Sequence, residues 1–364
     1  MTGRLNVLVT GAAGLVGAEV AARLTAAGHN VTGLVHDTPQ IVRNNGRPIR
    51  SPDAVRLLTG DVTVPGLGLG GPVRGELAGQ LDRIVHCAAI TDFGRPASTY
   101  RSVNTDGTAH VVEFAQAGKI PLIHVSTAYV CGERDGLVTE YELDVGQRFG
   151  NDYEASKALA EQVVRKASAD GLPVAVVRPS IVTGAERTGV IRDLKNVYVV
   201  LKLVTEGKAR TLPGHYDASL DLVPVDYVAD LVTQATVRFS EAVDRTFHAV
   251  GAHLRLRDVS DILAEFPSFQ VPRYVPPSTF DAGRLPPAER PYYQRVTSLY
   301  ATYFQRRIRF DDTAAAAFSS RRRVSNGTAY LRRLIDYAVK TGYLGNPLPA
   351  PSDVLAGLTR RSDR

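Results

Sequence analysis

The first 27 residues constrain the fold more than any other stretch of the chain. Leu5 to Val9 form a short apolar run typical of a strand, Thr10 to Gly17 are rich in glycine, and Ala18 to Ala27 follow a helical pattern. Glycines permit a tight turn and let a pyrophosphate approach the backbone, while the helix N-terminus offers unpaired N–H groups to an anion. This order predicts a dinucleotide site, although such a loop also suits plain tight packing. The expected contacts are Thr10, Gly11, Ala13, Gly14, Leu15, Val16 and Gly17.

Strands and helices alternate through the first half of the chain. The predicted strands after the first are residues 31–35, 55–58, 83–87, 122–126 and 174–177. This alternation favours an α/β fold with a doubly wound parallel sheet, the Rossmann architecture. Ligands of such sheets bind beyond the carboxyl ends of the strands. Those ends carry Asp61-Val62, Ala88-Ala89 and Pro179-Ser180.

The end of the second strand indicates which dinucleotide binds. An acidic residue there would hold the ribose 2′-hydroxyl of NAD, but the strand ends in His36, with Asp37 one place further. NADP(H) is therefore the predicted cofactor, and Asp37 leaves NAD open. The next loop carries Arg43, Arg47 and Arg50, each of which is either a partner for a 2′-phosphate or a surface charge.

Two regions are expected. Residues 1–183 are predicted to form an NADP-binding domain that also carries the catalytic Thr, Tyr and Lys described below. Residues 184–364 are predicted to form a smaller, mostly helical substrate region, some segments of which return to the sheet.

The candidate catalytic motif is Tyr153-Glu154-Ala155-Ser156-Lys157. On a helix, positions four apart lie on one face, so the Tyr153 hydroxyl and the Lys157 ammonium are expected to share a cleft. A nearby cation favours the phenolate, so Lys157 is predicted to lower the pKa of Tyr153 from its usual value of about 10. Alone, this spacing fits a packed tyrosine and a surface lysine equally well. The glycine loop and the strand that ends at Ser126-Thr127, one of which should reach the cleft, favour catalysis.

Charge, cysteine content and hydropathy restrict the remaining function classes. From residue 252 onwards there are 18 Lys/Arg against 10 Asp/Glu, which suits either an anionic partner or a solvated face; no nucleic-acid-binding motif accompanies this charge. Cys87 and Cys131 stand far apart, so neither a disulfide framework nor a metal site is expected and a cytoplasmic location is predicted. The chain has no run of eighteen apolar residues, so a membrane span is not predicted. Peripheral contact with a membrane is left open. Two helical stripes suit core packing, an acyl groove or a membrane-facing ridge: Tyr293, Val296, Tyr300, Tyr303 and Phe304, then Leu331, Leu334, Ile335 and Ala338.

Taken together, these segments resemble the extended short-chain dehydrogenase/reductases. The matching pieces are residues 10–17, Asp61, residues 104–108, Ser126-Thr127, Tyr153 with Lys157, and residues 178–180. Within that superfamily, four stretches of the chain resemble the fatty acyl-CoA reductases and thioester reductase domains: residues 60–69, 85–89, 124–132 and 221–227.

The resemblance implies a reaction and residue roles. Thr127 would donate a hydrogen bond to the substrate carbonyl, Tyr153 would supply a proton, Lys157 would hold the nicotinamide ribose, and Asn104 would support the proton path or its helix. The implied reaction is the NADPH-dependent reduction of an acyl thioester, carried by coenzyme A or by an acidic acyl carrier protein, to an aldehyde, with further reduction to an alcohol left open. We further hypothesise that the anionic end of the thioester binds among Arg306, Arg307, Arg309, Arg321, Arg322 and Arg323.

Three alternatives remain. Epimerisation or dehydration of a nucleotide sugar uses the same Tyr153 and Lys157, and so does reaction of a sterol-like alcohol or ketone. The third is a non-catalytic NADP-binding regulator.

Overall fold

A seven-stranded parallel sheet forms the centre of the molecule. The computed structural model describes residues 3–38, 40–49, 55–324 and 326–345; Arg50 lies outside them. The strands are β1 (Asn6–Thr10), β2 (Asn30–Val35), β3 (Arg56–Thr59), β4 (Arg83–His86), β5 (Leu122–Val125), β6 (Val174–Pro179) and β7 (Thr246–Ala249). Their order is β3-β2-β1-β4-β5-β6-β7. The chain reverses direction across the sheet beside β1, and ligands of such sheets bind at this switch point.

Helices cover both faces of the sheet and confirm the predicted doubly wound architecture. The longer helices are α1 (Leu15–Ala26), α2 (Gly71–Gln80), α3 (Gly107–Gly118), α4 (Asp152–Ala169), α5 (Val197–Thr205), α6 (Val225–Val237), α7 (Leu256–Ala264) and α8 (Gly327–Lys340). Val20 and Leu24 of α1 pack with Leu231 of α6 on one face, and Phe114 of α3 packs with Val164 of α4 on the other. The last strand, β7, and helix α6 come from the part of the chain after residue 183.

A second core lies beyond the carboxyl ends of the strands. It joins α5, α7 and α8 through buried side chains that include Tyr198, Val204, Leu256, Leu331 and Leu334. Three small sheets complete this part: Ile181–Thr183, Ser219–Pro224 and Ala252–Arg255; Thr211–Pro213 with Arg273–Val275; and Gly136–Val138 with Ile308–Phe310. Most of these strands have only three or four residues, which is too short for a periodic signal. Among the described residues, no helix has both the length and the apolar character needed to cross a bilayer.

Local sequence explains why α4 begins where it does. The Asn151 side chain accepts a hydrogen bond from Glu154 N at 2.9 Å and so caps the first turn. Asp152 and Glu154 place negative charge near the positive end of the helix dipole, and Lys166 lies in the last turn. This cap fixes the start of the helix just before Tyr153.

Candidate active site

The glycine loop between β1 and α1 leaves no room for side chains at Gly11 and Gly17. Gly11 has φ 63°, and a Cβ at this position would lie 2.6 Å from Ala88 N. A Cβ at Gly17 would lie 2.3 Å from Gly11 O. Gly14 is the N-cap of α1 and has no side chain to cap the first turn, so the first N–H groups of that helix have no partner within the helix. The loop therefore fits the pyrophosphate of a dinucleotide, which needs close backbone approach and unpaired N–H donors.

A cavity of about 510 Å³ opens beside this loop. It is lined by predicted residues from α1, α4, β6 and the segments that follow β1, β4, β5 and β6, which the sheet topology brings to one edge. The predicted residues that line it are Ala13, Gly14, Leu15, Val16, Gly17, Ala89, Thr127, Tyr153, Lys157, Pro179 and Ser180. These candidates are far apart in sequence and come together only because parallel strands end at the same edge.

Thr10, Gly11 and Ala88 lie behind the cavity wall. The Thr10 hydroxyl contacts His86 Nδ1 at 2.7 Å and accepts a hydrogen bond from Ala88 N at 3.3 Å. These contacts tie β1 to the loop after β4. Thr10 and Ala88 therefore support the glycine loop from behind.

His36 and Asp61 form a separate cluster at the ends of β2 and β3. His36 Nε2 lies 3.4 Å from Asp61 Oδ2, and His36 Nδ1 lies 2.7 Å from Asp37 Oδ2. Val62 is buried next to Asp61. Arg43 lies apart from this cluster, with its Nε 3.5 Å from Glu19 Oε1 on α1.

Tyr153 and Thr127 meet in the cavity. Their side chains are hydrogen-bonded to each other, and the Thr127 hydroxyl also donates to Pro179 O at 3.2 Å. Of the pair Ser126-Thr127, Thr127 is thus the residue whose hydroxyl reaches Tyr153. Lys157 lies one turn further along α4, where its Nζ donates to Val125 O at 2.9 Å.

The pKa of Tyr153 differs from the prediction. Burial raises it to about 12, and the hydrogen bond with Thr127 only partly opposes this effect. Burial also lowers the pKa of the Lys157 ammonium to about 8. The prediction that Lys157 lowers the pKa of Tyr153 is therefore wrong for this arrangement, because desolvation raises the pKa and Lys157, which donates to Val125 O, is not among the groups that shift it. A phenol with a raised pKa stays protonated at neutral pH, which is the form that donates a proton.

Asn104 supports the helix that carries Tyr153. Its Nδ2 donates to Ser156 Oγ at 2.9 Å and to Ile90 O at 3.1 Å, and its Oδ1 accepts from Ile90 N at 2.8 Å. Asn104 is fully buried and lies in a π-helical segment, Arg101–Asp106, of a kind often found near functional sites. It therefore fixes the loop after β4 against α4 and does not line the cavity.

The cavity continues from Tyr153 into the second core. Phe93 lies at the junction, with its ring centroid 5.7 Å from that of Tyr153 and 4.9 Å from that of Tyr300. Beyond these rings is an apolar arm, which we define by Val200, Val204, Leu212, Leu256, Leu263 and Leu331. Most residues of this arm were not predicted from the sequence. Only the helical stripes gave a signal: Tyr300, Tyr303, Phe304 and Leu331 line the cavity, whereas their other members do not.

Four of the six arginines proposed to bind an anion are held by carboxylates. Arg306 is buried and forms a bidentate pair with Glu154 at 2.9 and 3.1 Å. Arg307, Arg321 and Arg323 pair with Asp217, Asp226 and Asp312, respectively. Arg309 and Arg322 are exposed and keep the proposed role. Sequence reasoning instead missed Arg192 and Lys195, two basic residues that do line the cavity.

Comparison with known proteins identifies relatives of this arrangement. The model of the Male sterility protein family matches residues 9–232. The terminal R domain from the myxalamid PKS-NRPS biosynthetic pathway has a solved structure that superimposes with a TM-score of 0.76 at 25% identity, covering 96% of this chain and 94% of that one. UDP-glucuronic acid 4-epimerase from Bacillus cereus, solved with NAD, has a TM-score of 0.66 at 18% identity over 92% of this chain and 99% of its own, which shows a shared fold.

Curated relatives match only in part. A probable fatty acyl-CoA reductase 4 from Arabidopsis thaliana is 24% identical over 270 residues, which cover 57% of this chain. This chain spans 54% of the length of that relative and 18% of the length of several others.

Proposed function

The chain belongs to the Male sterility protein family, and we propose that it is an NADPH-dependent reductase of acyl thioesters. One observation carries this proposal: a single cavity joins the glycine loop, the Tyr153 and Thr127 hydroxyls, and an arm lined by aliphatic side chains. Such a cavity suits a dinucleotide at one end and an apolar acyl chain at the other. The reacting carbonyl would then lie between them, beside Tyr153.

The residues present fit NADP(H). The N–H groups at the start of α1 would receive the pyrophosphate, and Lys157 would bind the nicotinamide ribose. His36, directly after β2, would face the adenosine ribose. Because it is not an acidic residue, it would not repel a 2′-phosphate, which favours NADP(H), whereas the adjacent Asp37 favours NAD. When bound, NADPH supplies the hydride that converts the thioester carbonyl into an oxyanion.

Thr127 and Tyr153 would stabilise that oxyanion. Both hydroxyls line the cavity, so one oxygen atom could contact both. The single Thr127 proton, which is donated to Pro179 O in the structure, would then turn to that oxygen atom. Tyr153 would then transfer its proton, since the neutral phenol persists at working pH. The resulting hemithioacetal breaks its carbon–sulfur bond, releasing an aldehyde and a thiol. A second round of the same chemistry on the aldehyde gives the alcohol.

The thiol carrier is coenzyme A or the phosphopantetheine arm of a carrier protein. Both are anionic, and Lys195 lies at the polar part of the cavity with its Nζ 3.1 Å from Asp92 Oδ1. The R domain and the fatty acyl-CoA reductase among the relatives support a thioester substrate.

The test is NADPH oxidation with acyl-CoA and acyl-carrier thioesters, measured beside nucleotide sugars and ketones. Tyr153→Phe should lower turnover of the thioester by about 10²–10⁴-fold, with NADPH binding retained. Tyr141→Phe is the matched control, because Tyr141 is 76% exposed. Turnover only with nucleotide sugars or ketones would contradict the proposal. Absence of turnover with every substrate, unchanged in Tyr153→Phe, would instead indicate a cofactor-binding regulator.

A further inference from the structure

Arg192 links the substrate side of the cavity to the glycine loop. It lies between the strand Ile181–Thr183 and α5, and its side chain is 18% exposed. Its Nη2 donates to Ala13 O at 3.1 Å, and its Nη1 donates to Val42 O in the loop after β2. One guanidinium therefore holds together two loops that form the predicted cofactor site.

Asn44 fixes the backbone of the segment that leads into Arg192. Its Oδ1 accepts from Arg192 N at 3.0 Å, and its Nδ2 donates to Val190 O at 2.7 Å. Asn44 N in turn donates to Glu19 Oε1 on α1 at 2.9 Å. The segment 190–192 is thus attached to the cofactor side by side-chain and main-chain bonds, and Arg192 has a defined position.

The charge of Arg192 suits an anion at the glycine loop. A guanidinium has five N–H donors; three N–H groups are engaged, by Ala13 O, by Val42 O and by Asp193 Oδ2 at 3.2 Å. Two N–H donors remain, and Arg192 lines the same cavity as Gly14 and Leu15 at the start of α1. Asp193 is the more exposed member of its pair, at 39% against 18%, so solvent weakens its compensating effect.

We propose that Arg192 binds the pyrophosphate of the dinucleotide from the substrate side and so completes the cofactor site. This proposal rests on the dinucleotide cofactor of the proposed function. It assigns to a residue beyond position 183 a direct contact with the cofactor, whereas the sequence motifs place all such contacts before that position.

Binding of cofactor fragments tests the contact without turnover. Dissociation constants for NADPH, ADP and adenosine 2′-monophosphate are measured by calorimetry with wild type, Arg192→Met and Arg192→Lys. Arg192→Met should weaken NADPH and ADP by about 10–100-fold, the range of a charge-assisted hydrogen bond. It should change adenosine 2′-monophosphate, which lacks the pyrophosphate, by less than about twofold. Arg192→Lys should fall between, because it keeps the charge and loses the forked geometry.

Arg187→Met is the control, because Arg187 is exposed and lies in the same part of the chain. This variant should bind all three ligands with the affinity of wild type. Melting curves establish that each variant is folded. Equal weakening of ADP and adenosine 2′-monophosphate would overturn the proposal, because it would mean that Arg192 only holds the loops together. Unchanged ADP affinity in Arg192→Met would also overturn it. If wild type binds none of the three ligands, the cofactor assignment of the proposed function fails as well, whereas thioester inactivity with intact ADP binding leaves the Arg192 contact standing.

Discussion

The buried pair of Arg306 and Glu154 gives the sharpest prediction on stability. Glu154 is fully buried on α4, next to Tyr153, and Arg306 is 4% exposed. Arg306 also donates to Thr302 Oγ1 at 2.9 Å, and Glu154 Oε2 accepts from Gly150 N at 3.0 Å. Arg306→Met keeps much of the side-chain volume and leaves the Glu154 carboxylate without its counter-charge.

The expected loss follows from burial. Removing one partner of a buried ion pair costs about 3–5 kcal/mol, because an uncompensated charge stays in the interior. The entropy of unfolding is about 2.1 cal/mol/K per residue, which for 364 residues gives about 0.76 kcal/mol/K. The melting temperature of Arg306→Met should therefore fall by about 4–7 °C.

Thermal melts of matched variants provide the assay. Arg307→Met is the control, because Arg307 is the next residue, has a 44% exposed side chain and pairs with Asp217 at the surface. A surface pair contributes about 0–1 kcal/mol, so its shift should stay near 1 °C. The double variant Arg306→Met with Glu154→Gln should lose less than the sum of the two single variants. Equal shifts for Arg306→Met and Arg307→Met would refute the buried pair and restore Arg306 as a candidate for binding an anionic substrate.

Three further predictions concern pH, the glycine loop and the apolar arm. Burial lowers the pKa of His86 to about 3. Below pH 6.5 the unfolded chain therefore binds more protons than the folded chain, and the free energy of unfolding decreases as the pH is lowered. His86 alone accounts for a loss of about 2 kcal/mol at pH 5. Thermal melts of His86→Asn at pH 7.5 and 5 should therefore show a smaller loss of stability than wild type, and an equal loss would contradict the role of His86. Gly17→Ala should weaken NADPH binding at least about tenfold by calorimetry, because its Cβ would collide with the Gly11 carbonyl of the glycine loop. Gly75→Ala is the control, since its Cβ would meet open space and should leave the affinity unchanged. Similar affinities in both variants would contradict binding of the pyrophosphate at the glycine loop. Leu263→Phe narrows the arm and should shift NADPH oxidation towards shorter acyl thioesters, while exposed Leu159→Phe should not; an unchanged chain-length profile would exclude the arm as the acyl site.

Local rules were enough to predict the fold class and the start of the site. The order of strand, glycine loop and helix at β1 and α1 depends on neighbours in sequence, and the structure begins α1 at Leu15, three residues before the predicted start at Ala18. The spacing of Tyr153 and Lys157 is also local. The prediction of an extended short-chain dehydrogenase/reductase related to fatty acyl-CoA reductases and thioester reductase domains is confirmed by the family match and the R-domain structure. The R domain and the fatty acyl-CoA reductase among the relatives support the proposal of an NAD(P)-dependent oxidoreductase.

Features that depend on distant partners could not be predicted. Whether Arg306 binds an anion depends on Glu154, which lies 152 positions away. The role of Arg192 depends on Ala13, at a separation of 179. The pKa of Tyr153 depends on how far the surrounding chain removes it from water, and the helical spacing to Lys157 contains no information on that burial.

Helix α4 explains how the two parts of the chain jointly position Tyr153. Its buried face carries the charged residues Glu154, Lys157 and Glu161, and each is compensated from a different direction. Glu154 pairs with Arg306 from the C-terminal part, Lys157 donates to a β5 carbonyl, and Glu161 pairs with Arg178 on β6 at 2.6 Å. A rotation or shift of α4 by one residue would leave buried charges unpaired at a cost of several kcal/mol. Charge pairing therefore fixes the register of the helix and, through it, the position of the Tyr153 hydroxyl between the glycine loop and the apolar arm.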